Sequence, residues 1–253
     1  MRSNTNKSIF LGIFEDLSPM KDQEYIGCQL CKARLKSIFN ELTKEEISEL
    51  DSIKRCQFYK KGELVFSQGT YPRGLFCVQS GKIKVTQLGT DGKEQIVHLI
   101  HDGNVMGHRA ILGEDAFSCS AIAMEDSHVC FVPRAPFYAM VENSPKLSLK
   151  IAHLLADELK EAERKITHSA QHPVKDRIAQ ALLILEKNYG YESDGATLNV
   201  IVKREDLANL ASTSRETAIR ILYELQEENV IELIAKKIKV INSSLLLKHA
   251  GYA

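Results

Sequence analysis

Between Phe58 and Val132 the chain carries nine glycines, among them 62, 69, 81, 92, 103 and 107, which break most of it into stretches too short for ordinary helices. The short segments along this region are Glu63–Ser67, Leu75–Gln79, Lys82–Gln87, Gln95–Ile100, Ala121–Met124 and His128–Val132. Short alternating strands with turns at regular intervals close into a barrel or a β-roll. A chain of 253 residues has room for such a unit and a second domain.

After the strands the pattern turns helical. Pro133 and Pro136 open the region, and Ser144-Pro145 reads as an N-cap followed by proline at the first helical position. Nothing breaks the helix before about Ser169, which gives a rod of roughly 37 Å at 1.5 Å per residue. Ala152, Leu155, Leu159, Ala162, Ile166 and Ser169 fall at alternating spacings of three and four, the pattern of a coiled-coil seam. Leu147, Ile151 and Leu154 form a second stripe that would face the roll. Two apolar stripes call for a partner on each side, although a single amphipathic helix packed within its own domain stays open. His172-Pro173 ends the rod.

Beyond it the pattern predicts a helix over Val174–Asn188, a loop over Gly190–Gly195, a short strand over Thr197–Val202, two close helices, and a β-hairpin over Ile231–Ile241. At the other end, the first twenty-odd residues read as a loose arm. Cys28-Gln-Leu-Cys31 comes next, then a helical stretch through Ile38, Phe39, Leu42, Ile47 and Leu50, with Thr43 and Glu46 forming a capping box.

The two close helices carry the chemistry. Arg204 begins the first, Ser212-Thr213-Ser214 is a tight polar turn, and the second runs from about Arg215 to Glu228. On the second helix Ala218, Ile221, Leu222 and Leu225 share one face, as a core stripe does. Glu216, Arg220 and Tyr223 centre on the opposite face, flanked by Arg215 and Ile219. Arginine can hold guanine through O6 and N7, glutamate can accept from cytosine N4, and isoleucine can touch a thymine methyl. Two arginines near the start of a second helix suit a recognition helix in the major groove. Two plainer roles stay open: Glu216 completing a capping box with Thr213, and Arg220 pairing with Glu216 or Glu224.

Net charge neither helps nor hinders this reading. The 33 basic and 33 acidic residues cancel, so any DNA-binding surface must be locally basic. The apolar run Ile9–Phe14 is too short for a secretory core, and no apolar stretch of ~18 residues could span a membrane. A cytoplasmic chain without membrane contact is expected, in which the six cysteines (28, 31, 56, 77, 119, 130) are reduced, metal-bound or redox-active. With no phosphate-cradling glycine loop and no HExxH or GxSxG motif, an enzyme is not expected.

Thr213-Ser-Arg-Glu-Thr-Ala-Ile-Arg220, followed by Ile221, Leu222 and Leu225, closely resembles the recognition helix of the catabolite-activator/fumarate–nitrate-regulator (CRP/FNR) family. Lys61-Gly62, Gly69, Gly81-Lys82-Ile83, the Gly103–Gly107 stretch and the long helix add to the resemblance, which spans about Asn40 to Val240. It implies an α+β fold with a cyclic-nucleotide-binding-like β-roll, a long dimerisation helix and a C-terminal winged helix-turn-helix. The units would be 1–40 (arm with the CxxC), 41–136 (sensor roll), 137–171 (dimerisation helix) and 172–253 (DNA-binding domain). The implied partners are a second copy of the chain, a palindromic double-stranded DNA site and RNA polymerase. Arg215, Glu216 and Arg220 match the family's CRP-type reading triplet, so the half-site is expected nearer to TGTGA than to TTGAT; Ile219 departs from both types. Ser212, Thr213, Ser214, Arg204, Lys236 and Lys237 would add backbone contacts, and the wing's Ala235-Lys236-Lys237 lacks the usual turn glycine. The rival reading is a sensor module that acts through protein partners.

The same resemblance implies two sensing modes. Nucleotide-responsive members hold ribose with Gly-Glu-Leu and phosphate with Arg-Ser/Thr. Here the corresponding stretches are Gly107-His108-Arg109 and Ser118-Cys119-Ser120. The ribose carboxylate is missing and no arginine stands in the phosphate segment, which argues against cyclic AMP in the usual mode; Arg109 arriving from another direction is the exception left open. FNR-like oxygen sensors hold a [4Fe–4S] cluster through four thiolates. Cys28, Cys31 and Cys130 match three of these, and Ser37 stands where the remaining cysteine would be, with Cys56 or Cys119 as possible replacements. A dithiol or zinc switch at the CxxC, and plain buried cysteines at 77, 119 and 130, are the alternatives.

Overall fold

The structure, a computed structural model, describes residues 26–252. The expected loose arm before Ile26 lies outside the described residues. Cys28 to Asn40 belongs to the body: the Cys28 amide donates to Asp51 Oδ1 (2.8 Å) and Arg34 Nε donates to the Cys28 carbonyl (2.9 Å). A 3₁₀ turn, Ala33–Lys36, stands where part of a longer helix was expected, and Cys28, Phe39 and Leu42 pack with Leu75 and Val132. Helix α1 (Lys44–Ile53) then starts at the Thr43/Glu46 capping box.

Eight strands succeed it: β1 (Arg55–Tyr59), β2 (Leu64–Phe66), β3 (Gly74–Ser80), β4 (Lys82–Leu88), β5 (Glu94–His101), β6 (Val105–Met106), β7 (Ser120–Ala123) and β8 (Ser127–Pro133), with helix α2 (His108–Leu112) between β6 and β7. They form two four-stranded sheets, ordered β1-β8-β3-β6 and β2-β7-β4-β5, in which every pair is antiparallel. Phe66, Val78, Ile83, Val85, Ala121 and Val129 fill the space between them. Gly81 shows why glycine punctuates this unit. It holds φ at +112° in the β3–β4 turn, and an added Cβ would lie 2.1 Å from the Ser127 hydroxyl.

The helical rod runs unbroken from Pro145 to Gln171, as expected, and a separate helix precedes it. The expected unit 137–171 contains most of α3 (Arg134–Asn143) and all of α4 (Pro145–Gln171), separated at Ser144, which is extended at φ −120°, ψ 95°. Proline at 145 disfavours helical backbone in the residue before it and so sets the break. On α4, Leu147 and Ile151 are buried against Phe137, Met140 and Leu75, with Leu154 beside them. The other stripe faces outward: Leu159 is 62% exposed and Ile166 71%, with Ala152, Ala162 and Ser169 also exposed and Leu155 half-buried.

After His172-Pro173 come α5 (Val174–Tyr189), α6 (Arg204–Leu210), α7 (Arg215–Glu227), the hairpin β9 (Ile231–Ile234) and β10 (Lys237–Val240), and α8 (Ser243–His249). Residues 197–202 do not form the expected strand. They pair only at single bridges, Tyr191 with Leu198 and Thr197 with Lys239, because Leu198, Val200 and Val202 turn into the core instead of laddering. Helix α8 lies beyond the elements expected from the sequence; the Asn242 side chain caps it by accepting from the Leu245 amide (2.9 Å).

This C-terminal domain rests on the roll. Met124 and Leu99, from the roll, join the core built by Ile178, Leu182, Leu207 and Leu222. Lys84 Nζ on β4 lies 2.6 Å from Asp206 Oδ1 on α6, and Lys165 Nζ on α4 donates to the Val97 carbonyl (2.6 Å). Among the described residues, no helix is long and apolar enough to cross a membrane.

Candidate nucleic-acid interface and sensor sites

The turn between α6 and α7 is tight because Ser212 takes φ +52° and the Thr213 amide donates back to the Ala208 carbonyl (3.0 Å). The cap of α7 is Ser214, whose hydroxyl accepts from the Thr217 amide (3.1 Å). Glu216 is therefore not committed to a capping box with Thr213. Ala218, Ile221, Leu222 and Leu225 are all buried, while Arg215, Glu216, Arg220 and Tyr223 are exposed and Ile219 is half-buried. The helix turns a polar edge with two arginines to solvent. Arg220 forms an ion pair with Glu224 one turn on, one of the plainer roles considered for it. Arg204 is half-buried near Tyr223. In the wing, Ala235 holds φ +52° and Lys236 is exposed, whereas Lys237 Nζ lies 2.6 Å from Glu192 Oε1.

Gly107, His108, Arg109, Ser118 and Cys119 converge on one cavity of the roll, with a volume of about 50 Å³. Ser120 is turned aside, its hydroxyl accepting from the Gln68 amide (2.9 Å). Arg109 does reach the Ser118–Ser120 segment, where its guanidinium donates to the Ser118 hydroxyl. Glu158 of α4 also enters, 3.0 Å from His108 Nε2, and the buried His108 Nδ1 has no hydrogen-bond partner among the described residues. Phe66 and Phe117, stacked with ring centroids 4.1 Å apart, fill part of the space. His98 lines the cavity too, and burial lowers its pKa from the ordinary 6.5. His98 and His108 are thus both cavity residues.

The cysteines gather on one face of the β1-β8-β3 sheet. Cys56 pairs in register with Cys130, and Cys130 with Cys77. Cys56 and Cys130 form a disulfide with Cα atoms 3.9 Å apart. Cys28 and Cys31 come close enough to Cys77 to act on its charge; burial, and then these two neighbours, push the Cys77 thiol up to about 12. Burial likewise raises Cys28 against the pull of Lys54. Ser37 is buried and donates to the Arg34 carbonyl (2.7 Å) while accepting from the Phe39 amide (3.1 Å), so its hydroxyl belongs to the turn. Cys119 lies apart, in the roll cavity. Cys28, Cys31, Ser37 and Cys130 are therefore not assembled as a ligand set, and among the described residues no three Cys, His, Asp or Glu side chains group as metal ligands.

Comparison with known proteins matches residues 56–144 to the cyclic nucleotide-binding domain and residues 176–248 to the Crp-like helix-turn-helix domain. A "cyclic AMP receptor protein" of Thermus thermophilus is 31% identical over 83% of this chain and 94% of its own length. The chain belongs to the CRP/FNR family of transcriptional regulators. The "fumarate and nitrate reduction regulatory protein" of Vibrio cholerae is 28% identical over 89% of this chain and 91% of its own. A solved CRP/FNR-family regulator from Thermus thermophilus shares the fold, with a TM-score of 0.66 at 24% identity, over 78% of this chain and 98% of that one.

As a CRP/FNR regulator the chain works by binding DNA through its helix-turn-helix and not by catalysis. The sequence locates α7 and five of the residues that line the roll cavity. It passes over Glu158, which only the fold brings to the cavity, and the register that aligns Cys56, Cys130 and Cys77. Strand pairing leaves no local signal, so the Cys56–Cys130 contact had none to find.

Proposed function

We propose that this CRP/FNR regulator acts as a homodimer on a palindromic site, reads each half-site through Arg215, Glu216 and Arg220, and responds to a redox signal. The observation that carries the reading is the solvent-facing edge of α7, where two arginines and a glutamate stand opposite a fully buried apolar stripe. A helix that docked on a protein would more often present apolar anchors there. The triplet favours a TGTGA-like half-site, with Lys236 on phosphate. The outward stripe Leu155–Leu159–Ile166 of α4 suits a second copy of the same helix, and the two-fold axis so formed matches a palindrome. RNA polymerase is the downstream partner of such a complex.

Three features favour a signal other than cyclic AMP. A cavity of about 50 Å³ is well below the ~300–1,000 Å³ of ordinary ligand pockets. Glu158 brings a carboxylate into the cavity beside His108, and Arg109 already holds Ser118. The concentration of thiols on the β1-β8-β3 face supports redox sensing. A [4Fe–4S] cluster on Cys28, Cys31, Ser37 and Cys130 does not suit the side chains as they are placed, since Ser37 is held by its turn and Cys130 by Cys56.

The test is DNA binding by Arg215→Ala and Arg220→Ala against a panel of half-site substitutions. Each loss should cost ~1–3 kcal/mol and relax preference at one base pair per half-site. Uniform weakening at all sequences, or none, would favour the rival module acting through protein partners.

A further inference from the structure

The cysteine row on the β1-β8-β3 face has a geometry that selects one pair within it. In a central antiparallel strand, each residue faces a hydrogen-bonded partner on one side and a non-hydrogen-bonded partner on the other. The two Cα separations are near 5.5 Å and near 4.5 Å respectively. Cys130 occupies such a position in β8, between Cys56 of β1 and Cys77 of β3. The 3.9 Å separation from Cys56 makes Cys56–Cys130 the close pair. Directly opposed side chains project to the same face, which brings the two sulfurs together. Cys56 is half-buried and Cys130 is 8% exposed, so an oxidant arriving from solvent meets Cys56 first.

A protein that works on DNA meets a reducing thiol pool, in which lasting structural bridges are rare and those that form are catalytic or redox-sensing. We propose that Cys56 and Cys130 are a reversible thiol–disulfide site, closed by hydroperoxides and opened by dithiols. The inference rests on the redox reading above and names its site. In the closing reaction the Cys56 sulfur attacks one peroxide oxygen and the O–O bond breaks. Hydrogen peroxide then leaves as water, and Cys56 is left as a sulfenic acid. The Cys130 sulfur displaces the sulfenic hydroxyl as a second water, and the S–S bond forms. Two thiols are oxidised by two electrons and one peroxide is reduced to two waters. Thiolate exchange with an external dithiol reverses the bond.

The experiment treats the full-length protein with hydrogen peroxide, alkylates free thiols, and maps the linked peptides by mass spectrometry, with and without dithiothreitol. Two of the six thiols should be lost, the dominant linked peptide should join Cys56 to Cys130, and dithiothreitol should restore both. Cys56→Ser should keep all of its thiols under the same treatment; the wild-type map decides the matter even if that variant folds poorly. No thiol loss, a dominant Cys28–Cys31 or Cys77–Cys130 link, or a link that dithiothreitol does not open would overturn the proposal. Titrating the closed and open forms with operator DNA separates the two readings. A reversible Cys56–Cys130 link with unchanged DNA affinity would support the site and remove redox control from the proposed function.

Discussion

His108 Nε2 and Glu158 Oε2 lie 3.0 Å apart, so the short helix at the roll cavity is tied directly to the middle of α4. The charges around this bond set a pH dependence. Burial alone would raise the Glu158 carboxyl, but His108, His98 and Arg109 outweigh it and hold it below the ordinary 4.5. Its contribution is present above that value and is lost as pH falls through the lower folded one. His98 acts earlier. Burial keeps its ring below the ordinary 6.5, so the unfolded chain takes up the proton first and stability declines as pH drops from 6.5. His168, lowered chiefly by burial, has the same sign. Melting temperature should therefore fall as pH drops below 6.5, and His98→Gln should make that slope shallower without abolishing it. An unchanged slope in the variant would contradict this account.

The Lys84–Asp206 pair joins the roll to the helix-turn-helix, with side chains only 14% and 9% exposed. Its two halves are not equivalent. Lys84 has a second carboxylate, Glu94, at 3.9 Å. Lys84→Met strands a buried Asp206 and should cost about 3–5 kcal/mol in urea unfolding. Asp206→Asn leaves Lys84 near Glu94 and should cost about 1–2 kcal/mol. Equal losses would show that Glu94 does not compensate.

Arg220 must leave Glu224 before it can reach a base. Exposed pairs at this spacing are worth about 0.3–0.5 kcal/mol. Glu224→Ala should therefore tighten operator binding about twofold while leaving base preference at every position as it is. A changed preference, seen in a binding-site selection, would mean that Glu224 itself touches the DNA.

Ala235 holds φ +52° at the wing tip, where the family usually has glycine. A left-handed alanine carries a steric cost that glycine lacks, offset in part by glycine's greater freedom when unfolded. Ala235→Gly should raise stability by about 0.5–1 kcal/mol, read from the denaturant midpoint.

The helix-turn-helix is legible in the sequence nearly to the residue. The Ser212-Thr213-Ser214 turn and the buried spacing of Ala218, Ile221, Leu222 and Leu225 are local signals, and α6 and α7 begin and end within one residue of expectation. Strand β1 escapes because the alternation of Arg-Cys-Gln-Phe lasts only four residues before Tyr59 ends it, and β6 because two residues carry no period. At the cavity, the Gly107–Arg109 and Ser118–Cys119 segments can be read from the chain. Glu158, fifty residues from His108, cannot, since its approach depends on how α4 lies across the roll. Ser144-Pro145 marks the start of α4 by its proline at the first helical position, and the same pair separates α3 from α4 within the expected unit 137–171.

Met124 and Leu99 leave the roll to finish the core of the C-terminal domain. The covalent hinge at His172-Pro173 is therefore not a thermodynamic boundary. Melting one domain removes packing from the other, so heating should cross a single cooperative transition. A fragment beginning at His172 would carry an uncovered apolar patch where Met124 and Leu99 had been. The DNA-reading half of this regulator is a separate unit in the order of its residues, but in folding it shares one free-energy well with its sensor.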